Sequence, residues 1–504
     1  MALLFGVKAD KLVSEDKKEA RPVKHPVTVL PAGRVITAEH GQDLLSALRS
    51  AGLGPDAPCG GQGRCGKCTV FVDGKAVISC QTPVQGPMTV TVPDAADEAI
   101  LTGGIAVQAS AGEGYALAFD IGTTTVAGFL LDGTGAELAT LAAPNPQRSF
   151  GADVISRIRA ALDGHMEELT GSIRNCVADM AADLCQKAGV AQGQIRIVSL
   201  VGNPAMQQLF LGIHPENLAK LPFAPVLTRA EYCSAGAFVS GLSGAKMLIV
   251  PDVSGFVGAD TLACVLATTL AEQQEPALLV DIGTNGEMVL TDGKRMVACS
   301  AAAGPALEGA NIRFGMRAAR GAIDHVRAVE TGLECSVIGG AEPMGICGSG
   351  LIDAVAAALE QRLLDSRGRI LSGDTIALAD PVYLTQEDIR QVQLAKGAIA
   401  AGIELMARHL GLEISQIRRV YLAGAFGSFL SPKSACCIGL LPPILQNRIL
   451  AVGNAAGSGA KMLALDTDAQ ARAQALVGRI EFLELATRKD FPRCFAKHMR
   501  FAQE

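Results

Sequence analysis

Hydrophobic positions change their period along this chain, and the changes divide it. From 27 to 93 the pattern is short and mostly alternating. VTVL (27–30) and RVITA (34–38) read as strands on either side of a Pro31-Ala32-Gly33 turn. GQDLLSALRSAGL (41–53) places Leu44, Leu45, Leu48 and Leu53 at helical spacing, with Gly52 near its end. TVFVDGKAVISC (69–80) predicts two strands joined at Asp73-Gly74, a strong hairpin signal. MTVTVP (88–93) closes this block, and the Ala/Gly-rich stretch 93–114 reads as a linker.

Beyond the linker the strands are continuously apolar and end in acidic Gly/Thr turns. Tyr115-Ala-Leu-Ala-Phe-Asp120-Ile-Gly122-Thr123-Thr124-Thr125 recurs as Ala277-Leu-Leu-Val-Asp281-Ile-Gly283-Thr284-Asn285-Gly286-Glu287. In both copies a second apolar strand follows at once, VAGFLL or EMVL, so each turn is a hairpin tip. IRIVSLVGNPAM (195–206) likewise resembles IRRVYLAGAFGS (417–428), and VGNAAGSGAKML (452–463) echoes the Gly-Asn turn. Repetition of this kind is a fold-level signal. The expected organisation is a tail at 1–25, a cysteine-bearing module at 26–94, a linker at 95–115, two duplicated halves at 116–250 and 251–470, and a helical segment at 471–504.

Composition narrows the function classes. The 504 residues are 49% hydrophobic and 19% charged, as in a globular protein of several domains. A net charge of −6 gives no reason to expect nucleic-acid or membrane binding. No stretch is long and apolar enough for a transmembrane helix, and the N-terminus lacks a signal-peptide pattern. Fourteen cysteines without a secretion signal point to a reducing cytoplasm rather than a disulfide framework.

Four of those cysteines carry the most specific pattern. Cys59, Cys65, Cys68 and Cys80 are spaced Cys-x5-Cys-x2-Cys-x11-Cys. Three thiols within ten residues and a fourth one hairpin later suit a [2Fe–2S] cluster; plant-type ferredoxin spacing differs by one residue. Gly60, Gly61, Gly63 and Gly66 let the backbone curl and turn N–H groups toward cluster sulfurs. A structural zinc site is the alternative, but zinc motifs usually pair two short knuckles and one is present here. The other ten cysteines share no ligand spacing and read as small buried hydrophobes.

The repeated turns read as a phosphate clamp. Gly122, Thr123, Thr124, Gly283, Thr284 and Asn285 offer backbone N–H groups and side-chain donors to phosphate oxygens. Asp120, Asp281 and Glu287 are the candidate catalytic carboxylates: they would repel phosphate but can hold Mg²⁺ or orient a water. Gly424, Ala425, Phe426 and Gly427 form a matching turn, and Gly348 and Ser349 open a helix by a further Gly-rich loop; Gly304 lies in SAAAGPALEG.

The duplicated DIGT hairpins with the LAGAFG turn resemble the actin, sugar kinase and heat-shock chaperone superfamily. The resemblance makes 120–124 and 281–287 the two phosphate loops, 420–427 the adenosine motif, and the Gly202-Asn203 and Gly453-Asn454 helices the interdomain hinge pair. The implied fold is α+β and α/β multidomain: a β-grasp ferredoxin domain before a duplicated actin-like ATPase. With the cysteine module included, the chain resembles reductive activators of corrinoid-dependent proteins, through PDVSGFVGADTLA (251–263), SAAAGPALEGANIRFGMRAARGAI (300–323) and ELATRKDFPRCFAKHMRF (484–501). The implied activity is ATP-dependent one-electron reduction of inactive Co(II) to Co(I), with a [2Fe–2S] cluster, ATP and Mg²⁺ as cofactors. The implied partners are a corrinoid protein of a methyltransferase system and an upstream electron donor, and the resemblance allows a homodimer. Larger members carry an extra domain where this chain has only a short linker. A redox-sensing small-molecule kinase and an electron carrier on a non-catalytic nucleotide platform are the competing readings.

Overall fold

The computed structural model describes residues 23–55, 57, 60–63, 68–92, 103–107, 114–330, 332–371, 373–424, 427 and 429–501. Cys59, Cys65, Ala425 and Phe426, with the tail and most of the linker, lie outside these residues.

Among the described residues, five strands and one α-helix make the first module: β1 (Lys24–Leu30), β2 (Arg34–Glu39), α1 (Leu44–Ser50), β3 (Thr69–Val72), β4 (Lys75–Ile78) and β5 (Met88–Thr91), in the sheet order β2-β1-β5-β3-β4. Alternation puts Val27, Val29, Ile36 and Ala38 on one face, where they meet Leu44, Ala47 and Leu48 of α1. Asp43 starts the helix by accepting from the Ser46 N–H at 2.9 Å. The β3–β4 turn uses Asp73 at φ 47° and Gly74 at φ 82°, both left-handed, as a two-residue hairpin twisting with its strands requires.

The first half of the larger block contains β6 (Tyr115–Ile121), β7 (Thr125–Leu131), β8 (Glu137–Pro144), α2 (Val154–Ala160), α3 (Met166–Ala188), β9 (Ile195–Gly202), α4 (Pro204–Leu211), β10 (Glu231–Ser234) and β11 (Lys246–Ile249). Its sheet runs β10-β11-β9-β6-β7-β8. The second half contains α5 (Ala259–Ala267), β12 (Ala277–Ile282), β13 (Gly286–Thr291), β14 (Met296–Ala301), β15 (Ala322–Val329), β16 (Gly332–Val337), β17 (Gly345–Ile346), α6 (Gly348–Glu360), β18 (Thr375–Ala379), β19 (Val382–Thr385) and α7 (Gln386–Leu410). It continues with β20 (Arg419–Ala423), α8 (Pro432–Cys437), β21 (Ile449–Gly453), α9 (Ala455–Leu465), α10 (Thr467–Val477), β22 (Ile480–Phe482) and α11 (Phe491–His498). Its main sheet runs β21-β20-β12-β13-β14-β22. Each sheet is thus an antiparallel meander (β6–β7–β8, β12–β13–β14) with a parallel strand added beside its first member, β9 on β6 and β20 on β12.

Both sheets are covered on both faces, which explains their continuous apolar strands. Leu117, Phe119 and Ile121 point to an outer core with α3 and α4, while Ala116 and Ala118 point to a central core. Leu278, Val280 and Ile282 likewise point outward, Ala277 and Leu279 inward. Helices α5 and α9 fill the centre between the sheets and cross so closely that a Cβ on Gly459 would lie 2.2 Å from the Ala263 carbonyl oxygen.

Two expectations change here. The helix paired with α9 is α5, not the helix after Gly202-Asn203: α4 packs in the outer core of the first half. The Gly-Asn echo marked a shared cap, since Asn203 and Asn454 each accept from an N–H three residues on, Met206 and Gly457. The segment 471–504 is also not wholly helical, because β22 adds to β14 in parallel. Three residues are too few to show an alternating pattern.

Candidate functional site

The two hairpin tips face each other across a cleft of about 130 Å³. Asp120, Gly122, Thr123, Thr124, Asp281, Gly283, Thr284, Asn285, Glu287 and Gly424 all line it. Strand register explains the chemistry. Asp281 lies directly opposite Glu287 across the β12–β13 hairpin, whereas the matching position to Asp120 is Ala127. The second loop therefore carries two carboxylates and the first carries one.

Two further carboxylates join them that the sequence reading did not assign. Asp260 enters from the first turn of α5, and Glu308 from the short turn Pro305–Glu308. Glu308 Oε2 accepts from the Thr124 hydroxyl at 2.7 Å and from the Thr284 hydroxyl at 2.6 Å, so one carboxylate bridges both loops. Asn203 and Asn454 add amides: Asn203 Nδ2 donates to Thr123 Oγ1 at 3.1 Å, and the Asn454 side chain hydrogen-bonds Asp120. The signal for Asp260 and Glu308 was present in PDVSGFVGADTLA and SAAAGPALEG, but each sits at an element end that only the fold brings to the loops.

Burial and mutual repulsion shift these groups in one direction. Burial first, then the Asp260 and Asp281 charges, push Asp120 up to about 7 against its Asn454 hydrogen bond. Burial likewise raises Asp260 to about 7. Asp281 rises to about 6 by burial, opposed by a hydrogen bond from the Cys264 thiol at 3.4 Å. Glu287 and Glu308 rise too, again chiefly by burial. Five hard oxygen donors that resist being charged together fit a divalent cation, which would relieve the repulsion. Threonine hydroxyls and loop N–H groups beside them fit phosphate oxygens.

Four predicted residues fall elsewhere. Gly304 (φ 75°) precedes the turn that presents Glu308 and is not part of the cleft lining. Gly348 and Ser349 are buried at the start of α6, with the Ser349 hydroxyl donating to the Asp324 carbonyl at 2.9 Å, away from the phosphate cleft. Gly427 packs beneath the end of β20, where a Cβ would lie 2.4 Å from the Ala423 carbonyl oxygen. A second, larger cleft of about 540 Å³ opens between α6 and α8, lined by His325, Asp353, Glu360, Ser431 and Lys433 among others.

The cysteine site is described in part. Cys68 and Cys80 bracket the β3–β4 hairpin and pack together with Leu45, Ala57 and Ile78. Their approach is fixed by Ser79, whose N–H and hydroxyl both donate to the Cys68 carbonyl, at 3.0 and 2.8 Å. Gly60, Gly61 and Gly63 all take left-handed φ values, and a Cβ on Gly63 would lie 2.4 Å from the Gln81 side chain. Two cysteines packed in one cluster, beside described glycines with left-handed φ, fit an iron–sulfur cluster.

The comparisons with known proteins agree with this geometry. The profile for a 2Fe-2S iron-sulfur cluster binding domain matches residues 27–93, the RACo middle region 115–273, and the C-terminal domain of RACo, the ASKHA domain, 275–504. The corrinoid activation enzyme RamQ of Eubacterium limosum is 33% identical over 424 residues, covering 77% of this chain and 70% of that protein. This chain belongs to the family of reductive activators of corrinoid proteins. A second member, the [Co(II) methylated amine-specific corrinoid protein] reductase of Methanosarcina barkeri, is 28% identical over 392 residues, or 70% of each chain. A solved family structure, a reductive activator for corrinoid,iron-sulfur protein, is 28% identical and superposes with a TM-score of 0.71 over 95% of this chain and 98% of that one. No helix among the described residues is long and apolar enough to cross a membrane.

Proposed function

We propose that this protein is an ATP-dependent reductive activator that returns a corrinoid protein from Co(II) to Co(I), one electron at a time. The observation that carries this reading is the union in one chain of a cysteine hairpin suited to a [2Fe–2S] cluster and a two-loop carboxylate cleft suited to Mg·ATP. A cluster bound by Cys59, Cys65, Cys68 and Cys80 supplies the single electron.

The chain's own residues divide the remaining work. Thr123, Thr124 and Thr284 hold phosphate oxygens, while Asp120, Asp260, Asp281 and Glu287 hold Mg²⁺ or its waters. Glu308 yields the two threonine hydroxyls when phosphate arrives. A cleft of about 130 Å³ takes only the phosphate end of the nucleotide, on which the two halves close. The nucleoside end extends past Gly424 and Ser431 toward the larger cleft between α6 and α8, which shares the chain segment leading from β20.

Closure is what couples hydrolysis to the electron. A plant-type cluster lies near roughly −400 mV, and pushing one electron across a further 100 mV costs about 2.3 kcal/mol. A gap of one or two hundred millivolts thus needs roughly 2–5 kcal/mol, within reach of a partner bound more tightly by the ATP-closed form than by the open form. The partner is a corrinoid protein, and an upstream reductant refills the cluster. The test is anaerobic visible spectroscopy of Co(II) corrinoid protein mixed with reduced activator. Appearance of the Co(I) band only with Mg·ATP, and ATPase activity stimulated by the corrinoid protein, are the expected results. Equal reduction without ATP would overturn the reading. A phosphorylated metabolite would favour a kinase.

A further inference from the structure

The C-terminal helix brings three metal-ligating side chains together on α7. Cys494 and His498 stand four residues apart on α11, so both project from one face of that helix, and Glu404 meets them from α7. Cys494 Sγ, His498 Nε2 and a Glu404 carboxylate oxygen all lie within 4.8 Å of one another. Cys494 is 4% exposed, and its thiol reaches the Ala401 carbonyl at 3.9 Å, three residues before Glu404 on α7. His498 Nε2 lies 2.5 Å from Glu404 Oε2. Sequence spacing gave Cys494 no partner because Glu404 belongs to a different helix, far away along the chain.

The spacing and the donor types both fit a metal. Tetrahedral zinc, with bonds of roughly 2.0–2.3 Å, holds its donors about 3.5 Å apart. The Glu404–His498 pair would open by about 1 Å, and no pair would close by more than about 1.3 Å. One thiolate, one imidazole and one carboxylate suit Zn²⁺ and leave a fourth position for water, whereas Mg²⁺ takes oxygen donors. Burial holds His498 below its ordinary value, in the neutral form that can ligate. Burial pushes the Cys494 thiol up, and a bound metal takes the place of its proton, which passes to solvent.

Two cations now share the Glu404 carboxylate. Arg408, one turn further along α7, pairs with Oε1, and Lys497 Nζ lies 2.8 Å from Oε2. The Lys497 side chain is 64% exposed, and exposed pairs of this kind contribute little to stability. Both cations can swing into water and yield the carboxylate to a divalent ion, whose charge replaces theirs.

We propose that Glu404, Cys494 and His498 form a zinc site that staples α11 to α7. The site stands apart from the phosphate cleft and the cysteine module, and it rests on neither reading. The chain beyond α11 is already tied to α7, since Gln393 Nε2 donates to the Met499 carbonyl at 2.8 Å and Lys396 to the Arg500 carbonyl. Zinc adds a tie within α11 itself. Helix α7 in turn lies directly against β13 and β14: a Cβ on Gly402 would lie 2.5 Å from Met288 Cε and 3.3 Å from Cys299 Sγ. Zinc therefore fixes the helix that backs the hairpin bearing Glu287.

Zinc analysis of the full-length, cluster-loaded protein tests this. At a buffered free Zn²⁺ concentration that saturates the wild type, the wild-type protein should hold one zinc per chain beside its iron. Cys494→Ser and His498→Gln should each bind zinc at least ten-fold more weakly, with circular dichroism and cluster absorbance unchanged. His498 lies nearer the surface than Cys494, so His498→Gln decides the matter should Cys494→Ser misfold. Added zinc should raise the melting temperature of the wild type and of neither variant. Lys497→Ala removes a competitor for Glu404 and should bind zinc at least three-fold tighter, whereas a network of ion pairs alone predicts no zinc binding to change. No zinc in the wild type, wild-type zinc affinity in either folded variant, or unchanged affinity in Lys497→Ala would overturn the site.

Discussion

Gly459→Ala puts the hinge to a direct test. The added Cβ would meet the Ala263 carbonyl oxygen at 2.2 Å and its carbonyl carbon and Cα at 2.5 Å, all backbone atoms of α5. Ordinary contact needs about 3.5 Å, so α5 and α9 must separate by roughly 1 Å. Neither helix can absorb this alone, since both are packed between two sheets. The overpacking should cost about 1–3 kcal/mol. The functional effect should be larger, because α5 carries Asp260 and α9 begins beside Asn454, which holds Asp120. Moving these across the cleft by about 1 Å should lower ATP turnover by about 100-fold. The assay is steady-state ATPase with the corrinoid protein present, with circular dichroism and cluster absorbance verifying the fold. Gly171→Ala is the control: it sits in α3 with open space around its Cβ position, and should leave turnover unchanged while stabilising by up to about 1 kcal/mol. A folded Gly459→Ala protein whose turnover stays within two-fold of wild type would refute the hinge assignment.

Three other substitutions probe separate parts. Asp281→Ala should abolish the ATP dependence of corrinoid reduction and leave the cluster spectrum intact, whereas Cys68→Ser should remove the spectrum and leave nucleotide binding measurable by calorimetry; loss of both functions in either variant would contradict the division of labour. Glu308→Gln keeps an acceptor for Thr124 and Thr284 but removes a negative charge facing the triphosphate, so Mg·ATP should bind about ten-fold tighter; weaker binding would show that the carboxylate charge is needed. Lys396 is 1% exposed, donates to the Arg500 carbonyl and lies over the Phe501 ring, and burial pushes its ammonium down from 10.5 to about 7. Its folded-state value lies below the unfolded one, so the folded protein holds fewer protons between pH 7 and 10.5, and stability should rise with pH across that window. Lys396→Met should remove this rise and stabilise the protein near pH 7; chemical denaturation at pH 6, 8 and 10 reads it, and a variant less stable than wild type at pH 6 would refute the argument.

What was legible beforehand was what chain neighbours encode. The Asp73-Gly74 turn, the two hairpins ending in Asp120 and Asp281, and the helix starting at Leu44 each follow from residues within a few positions. The cleft's remaining carboxylates were not legible, since Asp260 lies 140 positions from Asp120 and reaches the cleft only through the fold. The hinge was misplaced for a related reason. Gly202-Asn203 and Gly453-Asn454 share capping chemistry, and a cap records how a helix begins, not what it packs against. The pairing of α9 with α5 depends on Gly459 meeting Ala263, a contact across nearly two hundred residues. Only the fold places Phe150 beneath Arg49. Near the C-terminus Lys497 and His498 bond Glu404, and Arg488 bonds Asp490, pairings that span up to 94 positions or hang on a local turn.

The duplication is also unequal in a way that bears on mechanism. In the second half, the position opposite the loop aspartate is Glu287, and Glu308 stands nearby, so this half turns its charge into the cleft. In the first half, the same position is Ala127, and the loop is held from outside by Asn145 and Arg157 instead. Two copies of one hairpin have thus diverged in opposite directions. The second copy concentrates the carboxylates suited to Mg²⁺ and water. The first gives up that acidity and is bound, through its backbone carbonyls, to the segment on which the cysteine module rests. The asymmetry sets the paired carboxylates on one half of the cleft and the contact with the cysteine module on the other.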